Sequence, residues 1–217
     1  MRLEGNPVAV KLLRDEPPPE SVHELEVPSP HCHIVWRAYR GESLYAPPSK
    51  QGCKVGAICL GMADQSGLKD AIAGLIKDKK RFRDEKSFEG YLQDVPVVPR
   101  GIRGILYAPL GDAPSDPDIL MILGKPSQAV ALVRAYHYLY GRKLQVSLGT
   151  YFPLCAENVA GPLLMGYIAL TLGGGCTISE DTLFNDLISV SFPYYMTKQI
   201  VKALKTLTEN KSEGGIP

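Results

Sequence analysis

Twenty-one glycines and 18 prolines interrupt this 217-residue chain, well above their usual combined share of about 12%. Each proline fixes its own φ and withholds a backbone donor, and glycine supplies stops that other residues resist. The chain must therefore fold as short elements joined by rigid turns. Val8–Leu13 (VAVKLL) reads as a first strand just after Pro7, and the Pro-rich stretch Glu16–Pro30 as a stiff connection. Ser29-Pro30 is a helix start, with the Ser oxygen as cap and Pro at the first helical position, and Gly41 ends the helix His31–Arg40. Glu42–Ala46 reads as a strand, and Gly52–Gly61 as a loop feeding a short helix. Asp70–Glu89 reads as a charged helix, and Gly104–Pro109 and Ile119–Leu123 as strands. A strong helix runs from Pro126 to Tyr140, stopped by Gly141, and Leu144–Leu148 reads as another strand. Leu183–Val190 fits either strand or helix, and Tyr194–Thr208 is an amphipathic helix with Ile200, Val201, Leu204 and Leu207 inward.

Alternation of strands and helices predicts an α/β fold, with mixed α+β as the alternative. Two stretches repeat one order of features. The strand VAVKLL, a helix containing Arg37-Ala38-Tyr39, Gly41, a strand and Cys53 are matched by ILMIL, a helix containing Arg134-Ala135-Tyr136, Gly141, a strand and Cys155. The expectation is one domain over 1–217, built of two related strand–helix–strand halves, 1–112 and 113–208, around a shared core, with a flexible tail 209–217. Cys53 and Cys155 would then be equivalent.

Composition removes several functions. With 24 basic against 23 acidic side chains the net charge is +1, whereas nucleic-acid binding needs a basic surplus on one face. The run Lys77–Lys86 holds six basic and three acidic residues and reads as a solvated helix face. Val159–Gly175 carries no charge but is too short, and too rich in Gly and Pro, to span a membrane, so it reads as a buried strand and turn. Met1–Asn6 shows no secretory pattern, so the expected location is the cytoplasm, and the five cysteines are expected to be reduced thiols or metal ligands.

The cysteines carry the chemistry. In His31-Cys32-His33 neighbouring side chains on a helix point about 100° apart, so Cys32 can face a site while the two histidines point elsewhere. Cys53 and Cys59 lack the two-residue spacing of a metal knuckle. Cys59, in Ala-Ile-Cys-Leu-Gly, reads as a small buried hydrophobe. Cys53 precedes a helix, where backbone N–H groups favour the thiolate. Cys176 follows Gly173-Gly174-Gly175, whose backbone could form the wall of an anion or cofactor site, although no Lys-Ser or Lys-Thr follows as in a nucleotide loop. Cys32, Cys53, Cys155 and Cys176, all at loop ends or helix starts, could together ligate an iron–sulfur cluster or a zinc ion.

These residues also carry a family resemblance over most of the chain. Pro7-Val8-Ala9-Val10, Cys32 with Gly41-Glu42, and Cys53 with Leu60-Gly61 come in order. Pro117-Asp118-Ile119, Pro126-Ser127-Gln128-Ala129, Cys155, Gly175-Cys176, Asp181 and Pro193 follow. The chain resembles the uncharacterised prokaryotic family known as domain of unknown function 169. The resemblance implies that Cys32, Cys53, Cys155 and Cys176 belong together and that Cys59 does not. In that family an Arg and a Gly closely follow the last cysteine; here Thr177-Ile178-Ser179 stand there, so no anion contact from that Arg carries over.

The leading expectation is a soluble metal-binding protein with an iron–sulfur cluster, or zinc, on Cys32, Cys53, Cys155 and Cys176, working with a redox partner or a small molecule as monomer or homodimer. The alternative is a metal-free, thiol-dependent enzyme on a small organic molecule. There Cys53 or Cys176 would be the nucleophile, assisted by Lys54 or Glu157. A third reading is a binding module for a flat apolar ligand using Trp36, Tyr39, Tyr136 and Tyr151. No catalytic residue beyond these is identified.

Overall fold

The computed structural model describes residues 3–77, 81–174 and 186–212. Seven strands form one mixed sheet: β1 (Val8–Leu13), β2 (His23–Glu24), β3 (Leu44–Ala46), β4 (Gly104–Pro109), β5 (Ile119–Gly124), β6 (Ala169–Thr171) and β7 (Ile188–Pro193). Their order is β2-β3-β4-β1-β5-β7-β6. All pairs are antiparallel except β2–β3. Outward from the β1–β5 seam the sheet reads β1, β4, β3 on one side and β5, β7, β6 on the other.

Strand periodicity divides the core between two faces. In β5, Ile119, Met121 and Leu123 join one apolar cluster while Leu120 and Ile122 join the other, as side chains alternating across a sheet require. The first face carries α1 (His31–Tyr39), α2 (Lys54–Cys59), α3 (Leu68–Lys77), α4 (Glu85–Gln93) and a π-helix (Pro153–Ala160) that runs into α6 (Gly161–Met165). The second face is covered by α5 (Pro126–Tyr140) and α7 (Thr197–Ser212), which pack on each other. The fold is thus mixed α/β, as expected.

Local signals explain the best-defined elements. Pro126 opens α5, the Gln128 side chain accepts from the Lys125 N–H at 2.7 Å, and Gly141 stops the helix at φ 62°. The differences from expectation arise where a partner decides. Ser29 does not cap α1: its hydroxyl donates to the Val27 carbonyl, and Pro30 precedes the helix without a side-chain cap. The helix expected over Asp70–Glu89 is two helices, the second opened by Asp84 Oδ1, which accepts from the Ser87 N–H at 2.8 Å.

Leu144–Leu148 is not a strand, and Val159–Gly175 contains the end of the π-helix and α6 as well as β6. Cys53 follows β3, and Cys155 precedes β6. Helix α7 continues to Ser212, four residues into the expected tail; residues 213–217 lie outside the described residues. Among the described residues no helix is long and apolar enough to cross a membrane.

Candidate functional site

Two short segments on the first face start helices side by side. Before α1, the Ser29 N–H donates to the Lys50 carbonyl at 3.0 Å, and the Gly52 N–H donates to the Ser29 carbonyl at 2.9 Å. A Cβ at position 52 would stand 3.0 Å from the Ser29 backbone, so glycine eases this close approach. This bridge sets Cys32, in the first turn of α1, beside Cys53, which precedes α2. The Cys53 Sγ accepts from the Gly56 N–H at 3.4 Å. Gly56 faces both helix starts: a Cβ there would lie in ordinary contact, 3.6 Å from His31 Cβ and 3.7 Å from Cys53 Sγ.

The third thiol arrives from more than a hundred residues further along. Phe152 holds φ 60°, the one positive φ outside glycine among the described residues. A non-glycine residue pays about 1–2 kcal/mol for that conformation, and such strain gathers at functional sites. It turns the chain into the π-helix, itself a form that recurs at functional sites, and Cys155 lies in its first turn. The Cys155 thiol faces the Phe152 carbonyl at 3.7 Å.

These segments enclose a cavity of about 450 Å³. Cys32, Cys53 and Cys155 line it with His31, His33, Lys54, Arg81, Tyr151 and apolar neighbours such as Val55, Phe152 and Leu154. No Asp or Glu lines it among the described residues. Among the described residues, no group of three or more His, Cys, Asp or Glu side chains is drawn together tightly enough to hold a metal ion.

Below the cavity lies a polar pair that the sequence reading missed. His31 was expected to point away from the site, yet it is 2% exposed. Its Nδ1 is 2.7 Å from the hydroxyl of Tyr107 on β4, which is fully buried. Burial pushes His31 down to about 3, partly opposed by the Leu154 backbone, so the ring is neutral. Burial also raises Tyr107 well above its ordinary value, with Gln51 opposing and Cys155 and Cys32 adding to the rise. His31 Nε2 and both amide atoms of Gln51 are buried and make no hydrogen bond of good geometry, although the Leu154 backbone and Gln51 lie near enough to act on His31 and Tyr107. One signal was available: Tyr107 is a polar head inside an otherwise apolar strand.

The other expected residues divide. Cys59 is fully buried in the core, away from the cavity, as expected. Lys54 lines the cavity, but Glu157 does not. The Glu157 carboxylate faces Gly149 and Tyr91, since a Cβ on Gly149 would meet Glu157 Oε1 at 2.6 Å and the Tyr91 hydroxyl at 2.7 Å. Burial first, then the charge of Asp94, raises Glu157 above the usual carboxylate range.

Gly173 donates to Thr171 Oγ1 at 3.3 Å, and a Cβ on Gly174 would overlap the Thr150 carbonyl oxygen. Gly174 therefore backs the Thr150 loop, and neither Gly173 nor Gly174 lines the cavity. Gly175 and Cys176 lie outside the described residues. Of the four aromatics proposed for a flat ligand only Tyr151 reaches the cavity; Trp36 stacks on Tyr39, and Tyr136 packs on Tyr140 across the sheet.

The uncharacterised protein MJ0308 of Methanocaldococcus jannaschii is 30% identical over 207 residues, covering 94% of this chain and 89% of that protein. No solved structure matches. The model of the uncharacterised ArCR family, domain of unknown function 169, matches residues 1–203, and the chain belongs to that family.

Proposed function

We propose that this protein holds a thiolate-ligated metal centre, an iron–sulfur cluster with zinc as the alternative, on Cys32, Cys53, Cys155 and Cys176. The observation that carries the reading is that three of these cysteines, from three separate segments, open on one cavity while Cys59 is kept in the core. The donor set suits a soft metal: sulfur ligands in a largely apolar wall, with no carboxylate among the described lining residues. The N–H directed at Cys53 Sγ favours its thiolate. A redox partner and a cytoplasmic setting belong to the same proposal, because reduced thiols persist in a reducing compartment.

The test is iron, zinc and acid-labile sulfide analysis, with a visible spectrum, on protein purified without oxygen. Iron with stoichiometric sulfide and broad visible absorption supports a cluster; colourless protein with one zinc supports the alternative. Protein with neither metal overturns the reading. The same N–H to Cys53 Sγ contact favours a second reading, a metal-free thiol enzyme with Cys53 as nucleophile and Lys54 beside it. Alkylation followed against pH tests it: a Cys53 that reacts only as an ordinary thiol ends that reading.

A further inference from the structure

We infer that the thiol-lined cavity also takes a small organic carboxylate, its anionic end on Arg81 and Lys54 and its apolar body against Val55, Ala71, Phe152 and Leu154. The inference takes the cavity, and not the metal, from the reading above.

Charge is the first argument. Lys54 and Arg81 both line the cavity and no acid does, among the described residues. Neither cation forms an ion pair among the described residues. Two cations beside a largely apolar cavity wall attract an anion.

Arg81 also lies beside Tyr151. Its guanidinium carbon lies 5.8 Å from the centre of the Tyr151 ring, and the Tyr151 hydroxyl donates to the Arg81 carbonyl at 3.3 Å. A guanidinium near an aromatic ring can present its planar fork for bidentate pairing.

Size and wall give the class of ligand. A cavity of about 450 Å³ is in the range of small-molecule sites, which combine apolar walls with a few polar anchors. His31 also lines the cavity. A single anionic group on an apolar body satisfies this set, whereas a bare phosphate would leave the apolar wall without a partner.

The test is calorimetric titration of the full-length protein with benzoate, with benzyl alcohol as its neutral counterpart and with inorganic phosphate, metal content being measured on the same samples. Arg81→Gln and Lys54→Gln are compared with the unaltered protein. The expected result is that benzoate binds at least tenfold more tightly than benzyl alcohol. Each substitution should weaken benzoate by roughly tenfold while metal content stays unchanged. Equal binding of benzoate and benzyl alcohol, or no binding of either, overturns the inference. So does phosphate competing as well as benzoate, or a fall in metal content in Arg81→Gln with benzoate affinity unaltered, which would make the cations partners of the thiolates. Benzoate binding that depends on Arg81 in protein devoid of metal supports the inference while ending the metal reading.

Discussion

The Tyr107 hydroxyl lies 2.7 Å from His31 Nδ1, joining the first residue of α1 to the middle of β4 across 76 positions of chain. Neither residue is reached by solvent to any extent. The contact anchors the start of α1, and with it Cys32, to the sheet.

Replacing Tyr107 by Phe keeps the ring and removes the hydroxyl, leaving His31 Nδ1 buried without a partner. An unsatisfied buried group costs about 1–3 kcal/mol. Urea unfolding of Tyr107→Phe should show a loss in that range with an unchanged slope; a midpoint equal to that of the original protein would mean the bond contributes nothing.

The buried, neutral His31 makes stability depend on pH. Its value is about 3 when folded, against an ordinary 6.5, so between these values the unfolded chain binds the extra proton. The contribution is fully present above pH 6.5 and is lost as pH falls toward 3, by at most about 1.4 kcal/mol per pH unit. Glu157, raised by burial, acts in the opposite sense, its contribution being lost as pH rises. Unfolding midpoints between pH 7 and 5, above the range of ordinary carboxylates, should fall on acidification. In His31→Gln that slope should flatten.

Two glycines should respond in opposite directions. Gly52→Ala forces a methyl against the Ser29 backbone, the contact that sets the starts of α1 and α2. Crowding of this kind costs about 1–3 kcal/mol, and it should also lower any metal content by separating Cys32 from Cys53. Gly90, in α4, has nothing within 4 Å of an added Cβ. Gly90→Ala should therefore gain about 0.5–1 kcal/mol from helix propensity and from the unfolded chain. Thermal unfolding of both variants checks the pair.

The cysteines should sort by place. Cys155→Ser should lower metal content to half or less on anaerobic purification, and Cys59→Ala should leave it intact. Cys59→Ala costs stability instead, because that side chain is fully buried in the core. Equal metal loading in the Cys155→Ser variant would speak directly against the proposed ligand set.

Much of the fold was legible because its signals are local. Pro126, Gln128 and Gly141 mark α5 within its own residues, and the apolar run of Ile119–Leu123 requires a strand buried on both faces. The separation of Cys59 from the other cysteines could also be read from its apolar neighbours. Leu144–Leu148 has strand-forming residues but no strand, since a strand exists only where a neighbour takes up its backbone groups. His31 was misplaced for a related reason. The rule that adjacent helical side chains diverge is sound, but the cavity wraps the end of α1, so His31, Cys32 and His33 all reach it.

By itself, then, the sequence determined the alternation of short strands and helices, their stops, and which thiols stand at loop ends. Steric limits and capping act over a few residues, so those features are written where they occur. Only the tertiary structure decided that Cys32, Cys53 and Cys155 share one cavity, that His31 is sealed against Tyr107, and that Gly52 and Gly174 serve close backbone approach. Each of these depends on contacts between segments far apart in the chain, fixed by the pairing of Ser29 with Gln51 and by the register of β4 against β1. No local pattern encodes that register.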